Sequence, residues 1–364
     1  MVNVVKTVIM TKKGTVELQE QPYPDLEPGA VVIKTAYSEV CGTDVHLQKG
    51  QLAGVPYPII PGHVSTGIIE ELNGEIQDID GIPLQKGDPV TFLDVHETCN
   101  SCWYCLVAKT STRCPKRKVY GITYSANEGL LGGWSQYIYL KPGVKIIKLP
   151  STSLLRTFMA GGCGLPTAIH GIQRSEIKLG DTVAIQGSGP VGLMAAVLAK
   201  LRGAFHVIML GAPDHRLKVA ESFGIETTIN IMDIDPQARV QQVIEQTHGR
   251  GADITIEATG VPSAIKEGME MTRDGGNYTV IGQYTNAGEI SINPHLHINK
   301  KHLTIRGSWG SDFSHFYLAV KFIERYATSY PFEKIISKDY SLEEAERALK
   351  DVEQLQIMKA IIKP

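Results

Sequence analysis

Thr182-Val183-Ala184-Ile185-Gln186-Gly187-Ser188-Gly189-Pro190-Val191-Gly192 decides the fold of the second half of this chain. Its first five residues read as a buried strand, and the strand runs directly into a G-x-G-x-x-G turn that opens an apolar helix over 191–201. Each glycine has its own task. Gly187 allows the tight turn, Gly189 lets the backbone approach a pyrophosphate, and Gly192 permits close packing of helix on strand. The helix N-terminus, with Ser188, Pro190 and Val191 around it, faces the anion. Glycine turns between strand and helix also arise for steric reasons alone, but a strand before and a helix after favour a dinucleotide site.

Working outward, apolar β runs recur at 206–210, 253–258 and 278–281, separated by helix-like segments, and this alternation predicts a parallel doubly wound sheet, an α/β fold. Further on come a strand at 303–308, helices near 312–326 and 342–351, and a last strand at 356–362, a tail able to return to the first half. Up to about residue 150 the texture is different. Short β-branched runs at 30–36, 65–71, 89–93 and 135–140 are punctuated by turns such as Glu27-Pro28-Gly29 and Lys86-Gly87-Asp88, which predicts a β-rich domain. A length of 364 residues suits two cores.

Hydrophobic residues are 43% and charged residues 20%, with a formal net charge of −2, an ordinary soluble composition. The basic clusters Lys12-Lys13, Lys116-Arg117-Lys118 and Lys300-Lys301 are short and scattered, so no nucleic-acid partner is expected. Residues 1–10 alternate polar and apolar and show no secretion signal, and the apolar helix at 191–201 is far short of the roughly 20 residues a bilayer needs. A cytoplasmic location without a membrane partner is expected. In that compartment six cysteines read as metal ligands or reactive thiols rather than disulfides.

Cys99, Cys102, Cys105 and Cys114 form C-x2-C-x2-C-x8-C in one short loop. Four thiolates so placed suit a closed tetrahedral zinc with no position left for water. Cys41 and Cys163 remain, the first opening Cys41-Gly42-Thr43-Asp44-Val45-His46 and the second in Gly161-Gly162-Cys163-Gly164-Leu165-Pro166-Thr167, while His63 stands in Pro61-Gly62-His63-Val64. Two cysteines and a histidine make an open zinc site, although each alone is more simply a core residue. In the dinucleotide half, the acid expected at the end of the second strand is replaced by Gly211, followed by Ala212-Pro213-Asp214-His215-Arg216. A carboxylate there would take the ribose hydroxyls and repel a 2′-phosphate. Asp214 is near enough in sequence to reach the ribose and His215 and Arg216 a phosphate, or all three simply start the next helix. NAD and NADP both stay open, with NAD favoured.

Together and in order, these residues resemble the zinc-containing medium-chain alcohol dehydrogenase family, over essentially the whole chain. The Cys-Gly-Thr-Asp-x-His form is closer to its threonine and polyol dehydrogenase branches. The resemblance implies a GroES-like catalytic domain carrying both zinc sites at 1–155 and 303–364, and a Rossmann domain at 156–302. It implies Cys41, His63 and Cys163 as catalytic zinc ligands and Cys99, Cys102, Cys105 and Cys114 as holders of a structural zinc. Thr43 falls where the family keeps a hydroxyl on the substrate oxygen, His46 where a histidine passes the proton outward, Asp44 where a carboxylate orients His63, and Thr167 beside the nicotinamide. The implied reaction is reversible hydride transfer between a secondary or polyol-like alcohol and NAD(P), with a homodimer or homotetramer as the assembly.

Two departures stand out: Val64 replaces the glutamate usual after the zinc histidine, and the four-cysteine loop is one residue longer before Cys114. A zinc-free quinone or enoyl reductase of the same superfamily, and a retired enzyme serving as a dinucleotide sensor, are the competing expectations. Trp134, Leu165, Tyr284 and Trp309 are candidate pocket walls, each of which is also a plausible core residue.

Overall fold

The computed structural model describes residues 4–364; residues 1–3 of the alternating opening stretch lie outside the described residues. Two compact units result, one built from the chain up to Cys163 together with Asp312–Pro364, the other from Gly164–Ser311.

Strand Val31–Val40 is the spine of the first unit. Val31, Val32, Ile33 and Val40 are at most 1% exposed, while Lys34 in the same strand is exposed, so the strand is covered along most of its length but reaches solvent at its middle. It pairs antiparallel with Ser65–Leu72, with Tyr137–Leu140 and with Lys359–Ile362. Pro89–Phe92, Ile146–Lys148 and Ile336–Tyr340 complete a seven-stranded sheet. The tail therefore does return to the first unit, by adding two strands to its central sheet. Val4–Lys12 and Thr15–Pro22 form a separate hairpin. Apolar clusters pack this unit around Phe92, Tyr120 and Ile138 and around Trp134, Leu47 and Tyr340.

The second unit is a six-stranded sheet in the spatial order Thr227–Asn230, His206–Gly211, Thr182–Gln186, Ala252–Glu257, Thr272–Val280, Thr304–Gly307, every pair parallel. Numbered along the chain this order is 3-2-1-4-5-6, the doubly wound arrangement whose ligand crevice lies at the carboxyl ends of its first and fourth strands. Helix Pro190–Leu201 has no polar face to speak of: Leu193, Met194, Ala195, Ala196 and Ala199 are wholly buried. Burying a leucine or methionine fully is worth about 1.5–3 kcal/mol, which explains an apolar run too short for a membrane. Among the described residues no helix is long and apolar enough to cross one.

Two differences from the sequence-based expectation have physical causes. The strand expected at 278–281 begins at Thr272, because the polar stretch 273–276 is a bulge: Ala252 faces Thr272, yet Ile254 already faces Asn277. The units divide at 163/164 and 311/312, whereas 155/156 and 302/303 are the boundaries read from sequence. Thr304–Gly307 pairs with Thr272–Val280 and so belongs to the dinucleotide unit, while Cys163 is tied to Glu39 in the first.

Candidate active site and metal centres

Helix Gly42–Gln48 begins at Cys41, whose sulfur accepts from the Thr43 amide at 3.3 Å while Asp44 reaches back to the Cys41 amide at 2.9 Å. This reciprocal cap fixes Cys41 at the helix entrance. Helical spacing then sorts the motif: Asp44 and Leu47 share the buried face, and Thr43 and His46, one turn apart, lie on a half-buried one. His46 Nδ1 lies 2.6 Å from Gln51 Oε1.

Cys41, His63 and Cys163 converge, with their ligand atoms all within 4.8 Å of one another. His63 is 5% exposed, and its Nδ1 makes no hydrogen bond among the described residues. Asp44, fully buried, also lies 3.4 Å from the Gly62 amide, so its hold on His63 runs through the neighbouring backbone and through charge. Burial pushes the Asp44 carboxyl up. Cys163 is held below the usual thiol range by the hydrogen bond it shares with Cys41, which burial opposes and His63 reinforces. The same bond, together with burial, pushes Cys41 up. For His63, burial works against its charge, but Cys163 and the Asp44 and Asp94 carboxylates outweigh it and raise it to about 10. Two sulfurs and an imidazole thus share protons in a buried corner, the donor set a divalent zinc displaces protons from.

The four-cysteine loop also closes. Cys99, Cys102, Cys105 and Cys114 place their sulfurs within 4.8 Å of one another, with 3.6 Å between Cys102 and Cys105 and between Cys99 and Cys114. A tetrahedron with zinc–sulfur bonds of about 2.3 Å has edges of about 3.8 Å, so the loop fits the ion and its extra residue is absorbed. All six cysteines are free thiols. Hydrogen bonds from the Ser101 hydroxyl and amide lower Cys99 to about 6.

In the second unit the glycine turn forms a cradle. Gly187 has φ +114, and a Cβ on Gly192 would lie 1.9 Å from the Gly187 oxygen. No side chain caps helix Pro190–Leu201, whose N-cap is Gly189, which leaves its first amides to an anion. Gly211 is not merely a missing acid. A Cβ there would lie 2.3 Å from Ser188 Oγ and 2.8 Å from Ser188 N, so no side chain fits. Asp214 opens helix Asp214–Ser222 and pairs with Lys218 at 2.8 Å, while Arg216 is 7% exposed with Nη1 3.9 Å from the position of a Gly189 Cβ. Thr167 lies on helix Gly164–Ser175, which packs against the glycine-turn helix.

Of the suggested pocket walls, Trp134 and Leu165 are wholly buried. Tyr284 and Trp309 stack on each other, ring centroids 5.6 Å apart, with Trp309 37% exposed. Sequence reasoning missed Glu39 and Lys359, which meet behind Cys163, and Gln51 beside His46. The only local hint was the glycine run around Cys163.

Comparison with known proteins agrees with this geometry. Residues 27–151 match the family described as alcohol dehydrogenase GroES-like domain, and 190–325 match zinc-binding dehydrogenase. A 5-exo-hydroxycamphor dehydrogenase of Pseudomonas putida is 32% identical over 98% of this chain and 98% of its own. An L-threonine 3-dehydrogenase of Bacillus subtilis is 28% identical over 98% of each. The crystal structure of an alcohol dehydrogenase from Thermotoga maritima is 34% identical, superposes with a TM-score of 0.91 and covers 99% of both chains. With its GroES-like and Rossmann units, its ligand triad and its four-sulfur loop, the chain belongs to the zinc-binding, medium-chain alcohol dehydrogenase family.

Proposed function

We propose that this enzyme oxidises a secondary or polyol-like alcohol reversibly with NAD, using one catalytic zinc at Cys41, His63 and Cys163 and one structural zinc at the four-cysteine loop. The observation that carries the reading is the meeting of three ligand atoms from separated segments within 4.8 Å, next to a helix that presents Thr43 and His46 together. Cys41, His63 and Cys163 would hold a zinc that supplies an electrophile for the substrate oxygen, and the glycine-turn unit would hold a nicotinamide that supplies the hydride chemistry. Thr43 accepts the substrate hydroxyl proton as its own hydroxyl proton passes on toward His46. Gln51 Oε1 is an acceptor, so His46 carries its ring proton on Nδ1 and leaves Nε2 as the base that passes the proton outward.

The names of the hydroxycamphor and threonine dehydrogenases support a secondary alcohol over a primary one. NAD is preferred because Arg216 is buried beside the glycine turn, and Lys218, the exposed cation of the same helix, is paired with Asp214 at 2.8 Å. Six free thiols fit a reducing compartment such as the cytoplasm. Strand Thr304–Gly307, at the edge of its sheet with Ile305 40% exposed, supports a homodimer or homotetramer, which a solution molar mass tests.

The purified enzyme is expected to hold about two zincs per chain, and Cys41→Ser about one, with alcohol oxidation abolished and the circular dichroism spectrum unchanged. Full activity in Cys41→Ser, or a single zinc in the unaltered protein, refutes the assignment. A panel of primary and secondary alcohols with NAD and NADP then fixes substrate class and cofactor; no turnover with any member would favour a dinucleotide sensor.

A further inference from the structure

Glu39 and Lys359 form the most buried ion pair among the described residues, each side chain 1% exposed, with 2.8 Å between Lys359 Nζ and Glu39 Oε1. Such a pair is a poor way to stabilise a fold. Removing two charges from water costs about as much as their attraction returns, and apolar replacements are often as stable. Its position suggests another use. Glu39 lies two residues before Cys41, and its amide donates to the carbonyl of Val64, the residue after His63, at 3.0 Å. Its Oε2 accepts from the Cys163 amide at 2.7 Å, and its Oε1 is 3.5 Å from the Cys163 sulfur. One residue thereby touches all three ligand-bearing segments.

Lys359 fastens that residue from behind. Its ammonium donates to the Met159 and Ala160 carbonyls at 2.9 and 3.2 Å, at the carboxyl end of helix Ser153–Gly161, where a cation is favoured. Gly162 makes room: it has φ +47, and a Cβ there would lie 2.2 Å from Glu39 Oε2 and 2.4 Å from Lys359 Nζ. Trp134 Nε1 donates to the Glu39 carbonyl at 3.0 Å and stiffens the strand. Val64 leaves position 64 without a carboxylate, and Glu39 brings one to the same neighbourhood from another strand.

We propose that Glu39 and Lys359 are a positioning pair for the metal centre, holding the Cys41, His63 and Cys163 segments in register before a divalent ion arrives. The proposal rests on those three residues being zinc ligands. The test compares Glu39→Leu/Lys359→Met, which removes both charges and the acceptor for the Cys163 amide, with Glu39→Gln/Lys359→Met, which keeps an acceptor. Zinc release from each purified holoenzyme to a colorimetric chelator is followed, and the cobalt(II)-substituted proteins are compared by their sulfur-to-metal absorption band. The leucine–methionine variant is expected to keep its circular dichroism spectrum, release the active-site zinc about 10–100-fold faster and shift the cobalt band. The glutamine–methionine variant, which keeps an acceptor for the Cys163 amide but loses the lysine, is expected to release zinc at an intermediate rate.

Unchanged release and an unchanged band in the first variant overturn the proposal. So does release from the second variant as fast as from the first, since the loss would then follow from packing alone, or as slow as from the wild type, since the lysine would then hold nothing. If the first variant does not fold, Glu39→Gln by itself decides: its amide offers one oxygen where the carboxylate offers two, so the Cys163 amide and Lys359 compete for it, and wild-type release with an unchanged band overturns the proposal. A wild-type protein holding only the four-sulfur zinc would instead overturn the ligand assignment.

Discussion

At the scale of single residues, Gly211 shows how a position becomes committed by its neighbour. Ser188 occupies the space that any side chain at 211 would need, so Gly211→Ala is expected to cost about 1–3 kcal/mol in unfolding free energy and to weaken NAD binding. Adding Ser188→Gly is expected to recover only part of that loss, because the Ser188 amide nitrogen remains 2.8 Å from the new Cβ. Titration of NAD by calorimetry on the single and double variants checks both, and wild-type affinity in Gly211→Ala would contradict the packing argument. The substitution was visible in sequence as an absent acid, but its reason was not, since the contact joins the end of one strand to the turn after another. The same holds more strongly for Glu39. Nothing in its own strand marks it, and the lysine that neutralises it lies in a strand read from a different end of the sequence. Cys41, His63 and Cys163 were legible because sulfur and imidazole are few and chemically particular; Glu and Lys are common, and only placement distinguishes this pair.

At the scale of elements, alternation and helical period located five of the six strands of the nucleotide sheet, with Thr182–Gln186 placed to the residue, while the short, half-polar edge strand Thr227–Asn230 was not read. Polar content inside a strand also hid the 273–276 bulge, so that the strand was read only from its apolar end. Helix Phe313–Tyr326 was anticipated near its observed bounds, and its start has a chemical cause. Asp312 accepts from the Ser314 amide at 2.9 Å and the Ser314 hydroxyl at 2.6 Å, and lies 2.9 Å from His315 Nδ1. The His315 bond, then those from Ser314, holds the Asp312 carboxyl well below the usual range. Asp312→Ala is therefore expected to cost about 1 kcal/mol at neutral pH.

Because the folded value is depressed, the charge contribution is complete above the unfolded-chain pKa of about 3.9 and is lost as pH falls through the lower folded value. The stability gap between wild type and Asp312→Ala should thus be flat from about pH 5 to 7 and narrow below about pH 4. Asp312→Asn should keep most of the cap at neutral pH while lacking the acid-dependent part. Thermal unfolding of the three proteins across that range decides, and a gap that widens on acidification would show the sign to be wrong.

At the scale of the whole molecule, burial and the proposed metal ligation divide the labour of holding the chain. The short helix Trp103–Leu106 has no buried residue, and Trp103 and Val107 are 62% and 64% exposed, so apolar packing cannot fix the four-cysteine loop. Cys105→Ser is expected to open it, with proteolytic cleavage between residues 99 and 114 faster by about tenfold or more while the glycine-turn unit stays protected. Equal cleavage rates in the two proteins would mean that the loop does not depend on its sulfurs.

The first unit, by contrast, draws its central sheet from both ends of the sequence, with Lys359–Ile362 docking on Val31–Val40. That arrangement sets a schedule for the ribosome. At roughly 5–20 residues per second, the 200 residues separating Met159 from its partner Lys359 take about 10–40 s to synthesise. During that interval a nascent polypeptide already displays both thiols and the imidazole, yet the carboxylate behind them has no counter-charge. On the proposed ligand assignment, secure metallation is expected to wait for the late strand, which would make loading with zinc a closing event of biogenesis.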